Sequence, residues 1–152
     1  MRYGISTIGP GMNTTAGTAG NVNLLNPASA TMAAAKVYEW SAGPAANSAD
    51  NTYTVKAIRQ STVGTFTNAI TPSPLDAKSG ASVTLANNTQ TAAPTLGVEL
   101  GRWGFHMRGG YRWVAIPGGE LVVPLVFSNG IQWSTTFAQG SDVLNWSVYF
   151  DE

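Results

Sequence analysis

His106 is the only histidine in the chain, and it stands between Arg102 and Arg108 in the stretch RWGFHMR. An imidazole titrates near neutrality, so it serves as a general base, a proton carrier or a metal ligand. Each role needs partners. A metal site would have to draw carboxylates from elsewhere, because the chain has no cysteine. No G-x-S-x-G elbow or comparable signature supplies the rest of a nucleophilic triad. The expectation for His106 is therefore a surface or interface position.

The carboxylates are Glu39, Asp50, Asp76, Glu99, Glu120, Asp142, Asp151 and Glu152. Acid-pair hydrolysis requires two of them to face each other across a cleft. Most fall in turns or at strand ends, where solvation accounts for them. Glu120 follows Pro117-Gly118-Gly119 and is placed either to cap that loop or to pair with Arg112. The expectation is a chain that is not an enzyme and holds no cofactor or metal.

Arg102, Arg108 and Arg112 interleave with Trp103, Phe105, Tyr111 and Trp113, as in proteins that stack single-stranded bases. The alternation, however, sends the first aromatics to the face opposite the arginines, which describes a core with a wet back. Eight basic and eight acidic residues cancel, so nothing draws the chain to phosphates or to an anionic membrane. No nucleic acid and no membrane partner is expected. An arginine face with little competing charge suits carboxylates on a partner protein. Trp40, Trp103, Trp113, Trp133 and Trp146 raise a carbohydrate-binding or host-attachment module as the alternative, since sugars stack on exposed indoles. Nearly all five fall on the apolar phase of their segments, which makes them core residues first.

These side chains sit in a chain of 152 residues, long enough for one domain with a real core. Charged residues are 11% of it, against about 25% in ordinary soluble domains. The surface is expected to be polar but mostly uncharged, and cheaper to desolvate than a charged one. The N-terminus has no continuous apolar stretch of the kind a secretory signal needs. No run approaches the roughly 20 apolar residues of a membrane helix. A soluble chain, complete as written, is the expectation.

Residues 3 to 35 carry no charge. They are rich in Gly, Thr, Asn and Ala, and offer few large apolar groups to offset the entropy of ordering. An extended arm over residues 1–31 is expected, docking on a neighbouring subunit, with the folded domain over 32–152. Within the domain Met32–Trp40 predicts a strand stopped by Ser41-Ala42-Gly43-Pro44, and Thr52–Gln60 a second strand. Val63–Phe66 reads as a turn and Asn68–Thr71 as a short strand. Ala81–Ala86 is a weaker strand whose following NNTQTAAP is loop. Arg102–Phe127 predicts three strands joined by Gly109-Gly110 and Pro117-Gly118-Gly119, a meander at the centre of an antiparallel sheet. Asn129-Gly130 predicts a hairpin whose second arm buries Ile131, Trp133, Thr135 and Phe137. After a turn at Gln139–Asp142, the final strand buries Leu144, Trp146, Val148 and Phe150. About eight or nine short strands with regular turn signals and no amphipathic helix predict an all-β antiparallel sandwich or barrel.

The uncharged arm, the WVAIPGGEL turn, the SNGI hairpin and the SVYFDE terminus resemble small capsid decoration (cement) proteins of tailed bacteriophages. The likeness covers most of the chain from about Met32 and, more loosely, the arm. It implies a jelly-roll sandwich on the outer capsid surface of the virion, a homo-oligomer, commonly a trimer, that clamps the major capsid protein. A rigid core, a self-complementary lateral surface and many copies on one shell fit such a role. On this reading the arm residues Arg2, Tyr3, Ile5, Ile8, Leu24 and Leu25 and the face of Arg102, His106 and Arg108 carry the partner contacts.

Overall fold

The computed structural model describes residues 1–8, 22–25, 34–45, 50, 52–62, 64–106, 108–126, 128–137 and 144–152. Among them there is no helix, and the strands form two antiparallel sheets in a sandwich-like arrangement. In chain order the strands are β1 (Arg2–Ile8), β2 (Val22–Leu25), β3 (Lys36–Pro44), β4 (Thr52–Gln60), β5 (Thr65–Ile70) and β6 (Ser73–Pro74). They continue with β7 (Leu85–Ala92), β8 (Leu96–His106), β9 (Tyr111–Val114), β10 (Leu121–Val122), β11 (Gly130–Phe137) and β12 (Leu144–Asp151). The first sheet runs β10-β3-β12-β1-β6, with β9 beside β10 on the same edge of β3; the second runs β5-β7-β2-β11-β4-β8.

Alternation builds the core as the sequence predicts. Leu144, Trp146, Val148 and Phe150 of β12 are buried, while the residues between them leave the other face. Ile131, Trp133 and Thr135 of β11 are buried likewise; the side chain of Phe137 lies outside the described residues. β4 has the expected bounds and buries Tyr53, Val55 and Ala57. The expected stop at Ser41–Pro44 is not one. β3 runs through it, because Ala42 continues the buried phase beside Trp40 and the segment stays paired to β12 and β9. NNTQTAAP is not loop either: Asn87 to Ala92 belong to β7, paired on one side with β2 and on the other with β5. The expected turn and hairpin at 129–130 also fall elsewhere. Ser128 takes the positive φ, 65°, and the chain passes from β10 in one sheet to β11 in the other.

The meander over Arg102–Phe127 is overturned. β8 is the outermost strand of the second sheet and pairs with β4, whereas β9 and β10 pair with β3 in the first. Gly109-Gly110 therefore carries the chain between sheets, with Gly110 at φ 62° and both N–H groups donating to the His106 carbonyl. β9 and β10 are successive pieces of one edge. Ala115 and Val123 extend the pairing through bonds to Tyr38 and Ala35, and the segment between bulges outward at Gly118, φ 83°. Aromatic rings close the sandwich where these edges face each other. Trp40 meets Trp103, Tyr111 and Trp146 at centroid distances of 5.0, 5.4 and 6.1 Å. Trp103 meets Trp113 at 6.0 Å, and Phe105 meets Tyr111 at 6.1 Å. The stretch is a corner between two sheets.

The expected arm is also corrected, over the part described. Residues 2–8 pair along the whole of β1 with β12, and residues 22–25 lie between β11 and β7. Tyr3, Ile5, Val22 and Leu24 are core residues. Short as they are, these apolar groups are placed at every second position, and burying them offsets the ordering cost that composition alone suggested. Residues 9–21 and 26–31, the rest of the expected arm, lie outside the described residues.

Candidate functional site

Arg102, His106 and Arg108, expected to meet a partner's carboxylates, already hold carboxylates of this chain. Arg102 grips Glu99 bidentately, Nε to Oε1 at 2.9 Å and Nη2 to Oε2 at 2.8 Å. That hydrogen bonding keeps Glu99 below the usual carboxylate range and raises Arg102. His106 Nε2 lies 2.7 Å from Asp50 Oδ1, and Arg108 Nε approaches the same oxygen at 3.8 Å. The Arg108 backbone N–H donates to His106 Nδ1 at 3.3 Å. With Nδ1 accepting, the neutral ring carries its proton on Nε2 and donates it to Asp50. The cluster is internally compensated.

The other described carboxylates are tied up singly. Glu39 accepts two bonds from Arg112, at 2.7 and 2.9 Å, which hold it below its usual range. Glu120 caps its own turn, accepting from the Gly118 N–H at 3.2 Å, and does not pair with Arg112. Asp76 accepts from the Lys78 N–H at 3.0 Å, and Asp151 faces Arg2 at 3.5 Å. Glu152 gathers Ser82, Val83 and Thr84 through bonds of 2.8, 3.2 and 2.6 Å. Among the described residues no group of three His, Cys, Asp or Glu side chains is placed to hold a metal ion.

Of the arm residues proposed for partner contact, Arg2 alone is exposed with its side chain described, beside Asp151 and 5.5 Å from the Tyr38 ring. Tyr3, Ile5 and Leu24 are 2, 3 and 0% exposed, so they are spent on this chain's own core and are withdrawn as partner contacts. Tyr3 donates its hydroxyl to the Gly80 carbonyl at 3.2 Å. Ile8 and Leu25 pair through their backbones with Asn145 and Gly130; their side chains lie outside the described residues. The tryptophans likewise offer no sugar platform. Trp40, Trp133 and Trp146 are buried, and Trp103 and Trp113 are partly buried against the core with their rings 6.0 Å apart.

What stands free is aliphatic. Leu96 and Val98 on β8, Val114 on β9, Val122 on β10, and Ile116, Leu125 and Val126 in the adjoining turns are exposed. Ile116 and Val98 reach 77% and 70%. β8 and β9–β10 are the outer strands of the two sheets on the same flank, where Arg59 of β4, the neighbour of β8, reaches across with Nη1 donating to the Val122 carbonyl at 3.0 Å. Among the described residues these strands pair along one edge only, and an open strand edge is the usual template for addition of another chain. The alternation of Leu121, Val123, Leu125 and Phe127 spells one apolar face, which hides the exposed part of this flank in the sequence. Only Leu121 and Val123 of the described ones turn inward, and Leu125 is exposed.

Among the described residues no helix is long and apolar enough to cross a membrane. No family model matches the chain, no curated protein matches its sequence, and no solved structure matches its fold.

Proposed function

We propose that this chain is a structural virion protein, a capsid decoration (cement) protein that binds the shell of major capsid protein on its outer surface as an oligomer, a trimer in the simplest case. The observation that carries the reading is the aliphatic flank of β8, β9 and β10. Its exposed side chains together offer several hundred Å² of apolar surface, the scale at which a patch marks an interaction site. Near it Arg102 is paired with Glu99 and Arg112 with Glu39, and Arg59 is engaged with the Val122 carbonyl. Such a surface is held by burial and shape, not by charge, and many copies on one shell multiply a weak contact. The partner surface therefore moves from the arm and the arginine face to this flank.

Mass photometry and co-sedimentation with undecorated capsids of its own phage test the proposal. The wild-type chain assembles and sediments with shells; the double variant Val98→Lys/Ile116→Glu keeps its fold and loses occupancy. Both positions are exposed, so refolding is not the confounder. A wild-type chain that stays a single subunit and ignores intact shells overturns the reading.

A further inference from the structure

The outer face of the first sheet adjoins the flank at Val114 and is more polar than it. Register aligns Arg112, Ser41, Ser147 and Ser6 side by side on β9, β3, β12 and β1. The strand spacing sets successive hydroxyls about 4.8 Å apart, close to the repeat of a chain of pyranose rings. Two shallow hollows open on this row. One, of about 410 Å³, has Ser41, Ser147, Asn145 and Arg112 at its base and the bare backbone of Gly43 and Gly110 along its wall. The other, of about 290 Å³, is lined by Ser6, Ser73, Gly4 and Tyr149 and by the apolar Ile70 and Leu75. Ser147 of the first is the register partner of Ser6 in the second, so the two adjoin across β12 and β1.

We infer that this face binds a neutral oligosaccharide lying across the strands of the first sheet. The size of each hollow suits one or two sugar units, and their openness to solvent suits a chain ligand over an enclosed small molecule. Hydroxyls, a side-chain amide and a guanidinium supply donors and acceptors together, which sugar hydroxyls require. Asn145 is oriented by its bond to the Pro44 carbonyl at 3.3 Å. Glu39 fixes the guanidinium plane of Arg112 through Nε and Nη2, cancelling its charge and leaving Nη1 to donate. Tyr149 adds an aromatic ring for the C–H face of a sugar. It lies against the Gly4 backbone, where a Cβ would come within 3.0 Å of its ring. Apart from the mutually paired Glu39 and Arg112, the charged side chains of these strands on this face lie in the row Lys36, Asp151 and Arg2. An anionic polymer would find a single, half-used cation in the hollows.

The test is a nuclear magnetic resonance titration of the whole chain with maltotetraose, cellotetraose and chitotetraose at millimolar concentration, and with tetragalacturonate as the anionic probe. At least one neutral probe saturates, shifting resonances of Ser41, Ser147 and Tyr149. Ser41→Val/Ser147→Val removes two of the three hydroxyls of the row with strand-favouring residues, and Gly43→Gln fills the first hollow from a position where a Cβ meets nothing within 4 Å. Each weakens binding about tenfold or more at an unchanged thermal midpoint and leaves shell occupancy unaltered. No saturation by any neutral probe, tighter binding of the anionic one, or affinity unmoved in both variants overturns the inference without touching the assembly reading.

Discussion

Glu39 shows how a charge survives in a chain with so few. Its side chain is mostly covered, and the two bonds from Arg112 hold its carboxyl below the usual value of 4.5 against the opposing effect of burial. A depressed folded value means the pair stabilises the fold above the unfolded carboxylate pKa, and that contribution disappears as pH falls through the folded one. Arg112 is exposed, so solvent screening keeps the contribution small. Glu39→Gln should therefore lower the urea midpoint slightly near neutrality and not at all once both states are protonated. Urea titrations above and below the carboxylate range check it; an equal deficit at both would mean the loss is packing, not charge. The ring of Trp40 sits at the other extreme, fully buried among Trp103, Tyr111 and Trp146. Trp40→Ala should cost about 3–5 kcal/mol in the same assay. Residues of this kind were legible from alternation alone. The amides Gln132, Asn23 and Asn87 were not: they lie side by side on three strands and are buried on the face opposite the core, where a polar residue reads as solvated.

Turns between strands announce that the chain reverses, but not which sheet it rejoins. Gly109-Gly110 was legible as a sharp turn, and it is one. The strands on either side then join different sheets, because Trp103 and Trp113 keep the same apolar phase whether they pair across a ladder or pack across the core. The same ambiguity hid the crossing at Ser128. β7 escaped for another reason. It carries Asn87, Asn88 and Thr89 where a buried strand usually carries aliphatics, and backbone pairing on both sides holds it in place. The two glycines of the corner give a test of this geometry. Gly110 has φ 62°, and a Cβ there would sit 3.0 Å from the Ala42 carbonyl oxygen; at Gly109 the nearest atom is the His106 carbonyl oxygen at 3.7 Å. Gly110→Ala should cost about 1–2 kcal/mol from the left-handed backbone alone, with the crowding added, whereas Gly109→Ala should stay near wild type. Thermal denaturation of the two variants checks the contrast. Equal midpoints would mean the corner does not take this conformation.

The whole sandwich depends on how its N-terminal segment is used. An arm that only adds contacts on a neighbour could be cut away and leave a folded domain. Here β1 is an interior strand of the first sheet, between β12 and β6. Tyr3 stacks on Phe150 at 5.7 Å and bonds to Gly80, Ile5 is packed opposite Val148, and the Met1 amino group bonds the Glu152 carbonyl. Burying Tyr3 and Ile5 contributes about 1.5–3 kcal/mol each. Removing residues 1–8 also strips the ladder from one side of β12 and uncovers Phe150. Together these losses rival the roughly 5–15 kcal/mol of net stability a domain possesses. The truncated chain is expected to lose its cooperative urea transition and to bind hydrophobic dyes, while Arg2→Ala, which removes only an exposed ion pair, leaves the midpoint within about 0.5 kcal/mol of wild type. Shell occupancy measured on the truncated chain would then report unfolding, not a lost arm contact, which is why surface variants of the flank are the appropriate probe of assembly. A truncated chain that unfolds cooperatively at the wild-type midpoint would return β1 to the role of a detachable arm and place the partner contacts there again.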